Sequence, residues 1–460
     1  MSTQLNQLTK FPSGSLKEIA IISFPLMLNA LSVNLMLFFD RLILSQYHVD
    51  AMTAAAGAGM VFAIFQFGGM GITSIAEVFV GQHNGAGHYD KIGVPVWQMV
   101  WFSVFLNVIY WPAGFLLGEV LIAPPLIEHG LDYFEVLMMF AFIFPMLVAI
   151  SSFYIGRGQV KIVTFAAVIG NILNVGLDYI LVLGIDGVIE PMGTIGAAIG
   201  TVIASAVNLM IMFVPFLLLK SNKRFGTLNA KFNWPVMKQC LQVGLPTAIG
   251  HTIEITGWSL LVYLVASKSK DYMVVFTIAQ TFFIIYAFIT DGLQKGVTAV
   301  VANFIGGKHT QYITKTLISS IKLLCLMELS LLLPYLLFPD VFIGLFLDDK
   351  ANNSFLWEHT KLAILGAVIE FGICGMTWVL GGVLTAGGDT KYIMWVNILG
   401  VWLTGILPSY IWLTYFPSTP SSIYLYIFPC SALINFGLMF WRYKSKKWIK
   451  VDLSRAHASA

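Results

Sequence analysis

Apolar runs long enough for a membrane-crossing helix follow one another along almost the whole of this sequence. They fall at about 17–45, 54–80, 93–118, 132–156, 161–184, 195–219, 236–266, 273–305, 314–338, 360–386, 391–416 and 422–441. Each reaches the roughly 20 residues that a helix needs to span hydrocarbon. A membrane β-strand is about half as long and alternates apolar with polar residues, a pattern absent from these runs. Composition points the same way: 58% of residues are hydrophobic and only 11% charged, against about 25% charged in a soluble globular chain. A surface that poor in charge needs lipid as its solvent. The expected fold is an all-α membrane protein of twelve transmembrane helices. The polar stretch Met1–Lys17 precedes a run too long for a signal-peptide core, so that run is read as a retained first span.

Lys and Arg placement sets orientation. Most of the 26 basic residues fall on one side of a twelve-span arrangement, among them Lys10, Lys17, Lys91, Arg157, Lys161, Lys308, Lys315 and Lys391. The central loop adds Lys223 and Arg224, and the tail adds Arg442, Lys444, Lys446, Lys447, Lys450 and Arg455. The loop from Gly118 to Leu131 has none. Both termini and the central loop are therefore expected in the cytoplasm, and the chain in the cell membrane.

The central loop divides the chain into halves that share a faint repeat. At one constant offset Pro25 aligns with Pro246, Gly71 with Gly292, Val80 with Val301, Gly85 with Gly306, His88 with His309 and Ile92 with Ile313. The reading is a cytoplasmic tail at 1–15, a first six-helix lobe at 16–219, a linker at 220–235, a second six-helix lobe at 236–442 and a basic tail at 443–460. Parallel repeats of this kind recur in transporters, with the substrate path between the halves.

Several chemistries find no support. A net charge of +3 is too small to argue for nucleic acid. The cysteines Cys240, Cys325, Cys374 and Cys430 are far apart, without metal-ligand or disulfide spacing. No nucleophile triad or Walker motif occurs, so neither an enzyme nor an ATP-driven pump is expected and no cofactor is called for. Gly85-Ala86-Gly87 and Gly387-Gly388 read as tight turns between helices.

Ionisable residues inside membrane helices are costly and usually mark a pathway. Asp40 closes the first apolar run, and Asn174 and Asp178 share one face of the fifth helix at a spacing of four. Glu254 and Glu370 lie in apolar runs of the second half, each read as having no basic residue within one turn. Asp291 and Lys295, also four apart, read as an intrahelical ion pair. Glu77 lies near the cytoplasmic end of the second helix. Trp258, Phe282, Tyr286 and Trp378 are candidate aromatic walls for flat cations.

Taken in order, these residues resemble the multidrug and toxic compound extrusion (MATE) family over about 15–445. The motifs are Pro25 with Phe39-Asp40-Arg41, Val80-Gly81-Gln82-His83-Asn84-Gly85-Ala86-Gly87, Asn174-Val175-Gly176-Leu177-Asp178, Gly196-Ala197-Ala198-Ile199-Gly200-Thr201 and Gly387-Gly388-Asp389-Thr390. The resemblance implies two six-helix lobes in a V and antiport of drugs against protons or sodium. It implies an N-lobe cation site at Asp40, Asn174, Asp178 and Thr201, where sodium is one possible occupant. It makes Glu254 the acid of the seventh helix. The family's tenth-helix acid falls near Cys374, one turn beyond Glu370.

A buried carboxylate can hold a proton or trade it for sodium or a cationic drug. If cation and drug favour different arrangements of the lobes, downhill entry of one drives exit of the other. The expected function is thus a multidrug efflux antiporter working as a monomer on small-molecule drugs. A lipid-linked oligosaccharide flippase of similar architecture is the alternative, and it should carry more cationic side chains in its cavity than Lys295. A channel or membrane-embedded enzyme is the more distant rival.

Overall fold

The computed structural model describes residues 8–347, 353–416 and 418–450. Arg455 and the outer ends of both expected tails lie outside these residues, as does the Phe282 side chain. Twelve spans are formed: α1 (Leu16–Tyr47), α2 (Val49–Gly85), α3 (Tyr89–Leu121), α4 (Pro124–Met139 with Ile143–Ile155), α5 (Val160–Leu183), α6 (Gly193–Leu218), α7 (Trp234–Lys268), α8 (Lys270–Thr281 with Tyr286–Gly306), α9 (Thr310–Leu337), α10 (Ser354–Ala386), α11 (Thr390–Tyr415) and α12 (Ile423–Lys444). Ten are continuous, while α4 and α8 are each bent by 44° at a short break. Among the described residues the β pairing is one bridge, Ile185 to Ile189.

Local chemistry explains where helices begin. Ser15 Oγ accepts the Glu18 amide at 3.3 Å, and Glu18 Oε2 accepts the Gly14 amide at 2.7 Å, so α1 starts on reciprocal caps. Asn233 caps α7 through the Val236 amide, with Pro235 in the first turn where its missing N–H costs nothing. Gly87 and Gly388 adopt φ of +75° and +77°, as the tight turns require. The repeat-equivalent of Gly87 is Lys308, which takes φ +60° with a full side chain. Arg442 grips Asp389 of the second turn with two hydrogen bonds, 2.6 and 3.0 Å.

The repeat seen in sequence is also a repeat of contacts between the halves. A Cβ at Gly71 would sit 3.5 Å from the Ala248 backbone, and one at Gly292 would press on the Met27 backbone. Both pairs obey the same sequence offset. Where α2 crosses α8, a Cβ at Gly85 would overlap the Asn303 carbonyl, and one at Gly306 would overlap the Gln82 carbonyl. Only hydrogen fits at either position. The crossing is tied by Asn84 Nδ2 donating to Asn303 Oδ1 (2.7 Å), Asn303 Nδ2 to the Gly156 carbonyl (2.7 Å) and Gln82 Nε2 to the Ala386 carbonyl (2.9 Å).

The linker is strapped to α3. Phe225 O accepts the Gly93 amide at 2.7 Å, Trp97 and Trp101 donate to the Thr227 and Ala230 carbonyls at 2.8 Å, and Gln98 donates to Lys231 O at 3.0 Å. Arg157 lies over Phe225 (3.7 Å) and Phe153 (4.3 Å). Burial lowers its guanidinium to about 10, which leaves the cation–π pairing charged at neutral pH. The halves differ in one backbone respect. Wide π turns occupy Gly400–Ile406 in α11 and Ile423–Ile427 in α12, and the described residues of the first half contain none. Such turns often accompany functional sites.

Candidate functional site

Two acidic sites result, one inside the first half and one between the halves. In the first, α5 and α6 pack closely, and Gly200 lets them: a Cβ there would overlap the Asp178 carboxylate. Asn174 and Asp178 are fully buried. Asn174 Nδ2 bridges Asp178 Oδ1 and Thr201 Oγ1, each at 3.4 Å. Asp40 of α1 brings its carboxyl within hydrogen-bonding reach of Asp178. All four residues expected here are therefore together. One oxygen each of Asp40, Asn174 and Asp178 is buried without a hydrogen-bond partner. Buried polar atoms are normally satisfied, so three orphaned oxygens in one cluster mark a place for a proton or a hard cation. Tyr133 of α4 also lies within the field of both carboxyls. Sequence reading missed it, because one tyrosine near an apolar run carries no distinguishing signal.

The second site is a cavity of ≈ 360 Å³, within the roughly 300–1,000 Å³ of pockets that take drug-sized molecules. It is walled mainly by α7, α8, α10, α11 and α12, while α2 supplies Ser74 to Val78. The acids Glu77, Glu254, Asp291 and Glu370 line it together with Lys295 and His251. Trp258 and Trp378 line it as well.

Several expectations change in detail. Glu254 does have a basic neighbour one turn back: His251 Nδ1 lies 3.7 Å from its carboxylate. The sequence reading counted only Lys and Arg as partners. Asp291 and Lys295 form the expected ion pair at 2.7 Å, and the pair faces the cavity. Glu77 is buried, and Lys295 is the first charge it senses; the helix runs on to Gly85, which carries Glu77 away from the loop. Glu370 and Cys374, one turn apart on α10, both line the cavity. Tyr286 does not. It stacks on Phe371 at 5.3 Å behind α10, with its hydroxyl on the Phe371 carbonyl.

Glu328 of α9 was also missed. It is 8% exposed and lies beside Tyr286. It stands in an apolar run, so the rule that singled out Glu254 and Glu370 would have found it.

Comparison with known proteins agrees with this architecture. The MatE family model matches residues 25–180 and again 246–411, the two matches starting on the repeat-related Pro25 and Pro246. A protein of Photorhabdus laumondii named probable multidrug resistance protein NorM is 25% identical over 401 residues, covering 85% of this chain and 86% of its own. An uncharacterized transporter of Bacillus subtilis, YisQ, is 21% identical over 90% of this chain and 91% of its own. Among solved structures, an outward-facing multidrug resistance MATE family transporter superposes with a TM-score of 0.83 at 18% identity, covering 97% of this chain and 99% of that one.

Proposed function

The chain belongs to the MatE family, and on that premise we propose that it is a multidrug exporter that moves organic cations or amphipathic drugs in antiport with protons or sodium. It is a transporter and not an enzyme. One observation carries the finer reading: a compact acid cluster at Asp40, Asn174, Asp178 and Thr201 stands apart from a drug-sized acidic cavity. A coupling cation and a drug need separate sites if each is to favour a different arrangement of the lobes. In this reading the N-lobe oxygens take the coupling ion. The donors are carboxylate, amide and hydroxyl oxygens, which suit a proton or a hard cation such as sodium. Two carboxyls within hydrogen-bonding reach need one proton between them if either is to donate. Drug binds in the cavity, where Glu254 and Glu370 offer carboxyl groups and Trp258 and Trp378 offer ring faces.

Cavity charge favours drugs over anionic lipid-linked substrates. Four acidic side chains share the cavity with one lysine, and that lysine is already paired to Asp291. The protein acts as a monomer in this reading, with both termini and the linker in the cytoplasm. Cysteines placed at Lys223 and Thr419 should then label from opposite sides of the membrane. The decisive experiment is drug export from proteoliposomes under an imposed pH or sodium gradient. Export that ignores both gradients would refute antiport, and movement of a lipid-linked oligosaccharide in the same vesicles would replace it with the flippase reading.

A further inference from the structure

We propose that Glu328 is a second proton-binding carboxyl, buried behind the cavity wall, with Tyr286 as the hydroxyl that reports and stabilises its charge state. The cradle is built from three helices. Glu328 comes from α9, Tyr286 from the α8 segment beyond the bend, and the floor from Gly372 and Gly375 of α10, three residues apart on one helix face. A Cβ at Gly375 would overlap the Tyr286 hydroxyl and would sit 2.6 Å from Glu328 Oε1; one at Gly372 would sit 3.8 Å from Glu328 Oε2. Bare backbone at both positions is what admits the carboxyl. Tyr286 is 3% exposed and Glu328 8%, and neither is among the residues that line the cavity.

The hydrogen bonding here is incomplete, and that is the informative part. A tyrosine hydroxyl has a single proton to donate. That of Tyr286 goes to the Phe371 carbonyl. Glu328 Oε1, within reach of the same hydroxyl, is left buried with no partner. A proton on Glu328 completes the chain, since the acid then donates to the Tyr286 oxygen, which donates to Phe371 O. When Glu328 gives up its proton to solvent at alkaline pH, the Tyr286 O–H rotates from Phe371 O to the carboxylate. The proton count balances, and α10 loses a side-chain hydrogen bond on its Phe371 carbonyl in the second state.

The other titratable groups near Glu328 are Cys374 from α10 and Cys325 one turn away on α9, with Glu370 beyond Tyr286. Among the described residues no Lys, Arg or His acts on it, so a proton is the charge partner to hand. Cys374 has Glu370 and Glu254 of the cavity and Glu328 as its charged neighbours. A change at Glu328 is thus one helix wall from the proposed drug site. For its consequence in transport the inference rests on the antiport reading; the proton site itself does not.

Infrared difference spectra between acid and alkaline pH, taken on the purified protein in lipid, test the site directly. Wild type should show a protonated-carboxyl band that Glu328→Gln removes and Tyr286→Phe shifts. Export driven by a pH gradient should fall at least tenfold in Glu328→Gln, and its pH profile should move in Tyr286→Phe. A carboxyl band and pH profile unchanged in both variants would overturn the proposal. If Glu328→Gln does not fold, an unshifted band in Tyr286→Phe is enough to overturn it. A wild-type band that responds to both substitutions, in a protein that exports nothing under any gradient, would support the proton site and overturn antiport instead.

Discussion

The two halves follow one helix path and carry different chemistry along it. In the first half the acids gather: Asp40 and Asp178 share a compact cluster with Asn174 and Thr201, away from the interface. In the second half they spread around a cavity, where Glu254 meets His251 and Asp291 meets Lys295. What duplication preserves is packing. Gly85 and Gly306 press on the repeat-related Asn303 and Gln82 carbonyls, where only hydrogen fits, and Gly71 and Gly292 face the repeat-related Ala248 and Met27. What it releases is the inner surface, where a carboxyl can move by a turn or a helix as long as it finds partners. The π turns of α11 and α12, found among the described residues only in the half that forms most of the cavity wall, belong to this divergence.

Substitutions in the first-half cluster should strike hardest. Asp178→Asn and Asp40→Asn remove the shared acid chemistry while keeping shape. Gradient-driven export in proteoliposomes should fall by a factor on the order of 100 or more in each, with the protein still folded. Normal export in both would mean that the halves do not divide the work as proposed. In the cavity, Glu254→Gln should weaken drug affinity about tenfold, or about 1.4 kcal/mol, measured by equilibrium binding of a cationic dye. Glu370→Gln should cost less, because Glu254 presents a more exposed carboxylate. A reversed order would move the drug toward α10.

The packing side of the comparison can be broken separately. Gly85→Ala and Gly306→Ala each push a methyl into a carbonyl of the opposing helix. Overpacking of this kind costs about 1–3 kcal/mol, so both should lower Tm in detergent by similar amounts. One tolerated and one damaging would show that the crossing is less symmetric than its contacts suggest. The smallest effect belongs to the turns. Lys308 holds a left-handed conformation that its repeat partner Gly87 adopts freely. Lys308→Gly should therefore stabilise by up to roughly 1 kcal/mol, set against the extra chain entropy of glycine, with export unchanged. A fall in Tm would mean that the Lys308 side chain makes a contact worth more than the strain.

Sequence alone determined the spans, because hydrocarbon thickness sets a minimum length for an apolar helix and charge is too scarce to hide. It determined the repeat as well, since proline and glycine mark places where backbone geometry tolerates little else. It also picked out Asp40, Asp178, Glu254 and Glu370, each an acid where acids are costly. Only the tertiary structure decided which of these meet. Asp40 and Asp178 are far apart along the chain and become neighbours through the packing of α1 against α5. His251 was in plain view beside Glu254, but its role depends on both side chains turning into one cavity. Tyr286 and Glu328 come together only because Gly372 and Gly375 leave a notch in α10. A spacing along one helix can be counted from sequence; an approach between helices depends on the packing of the whole bundle.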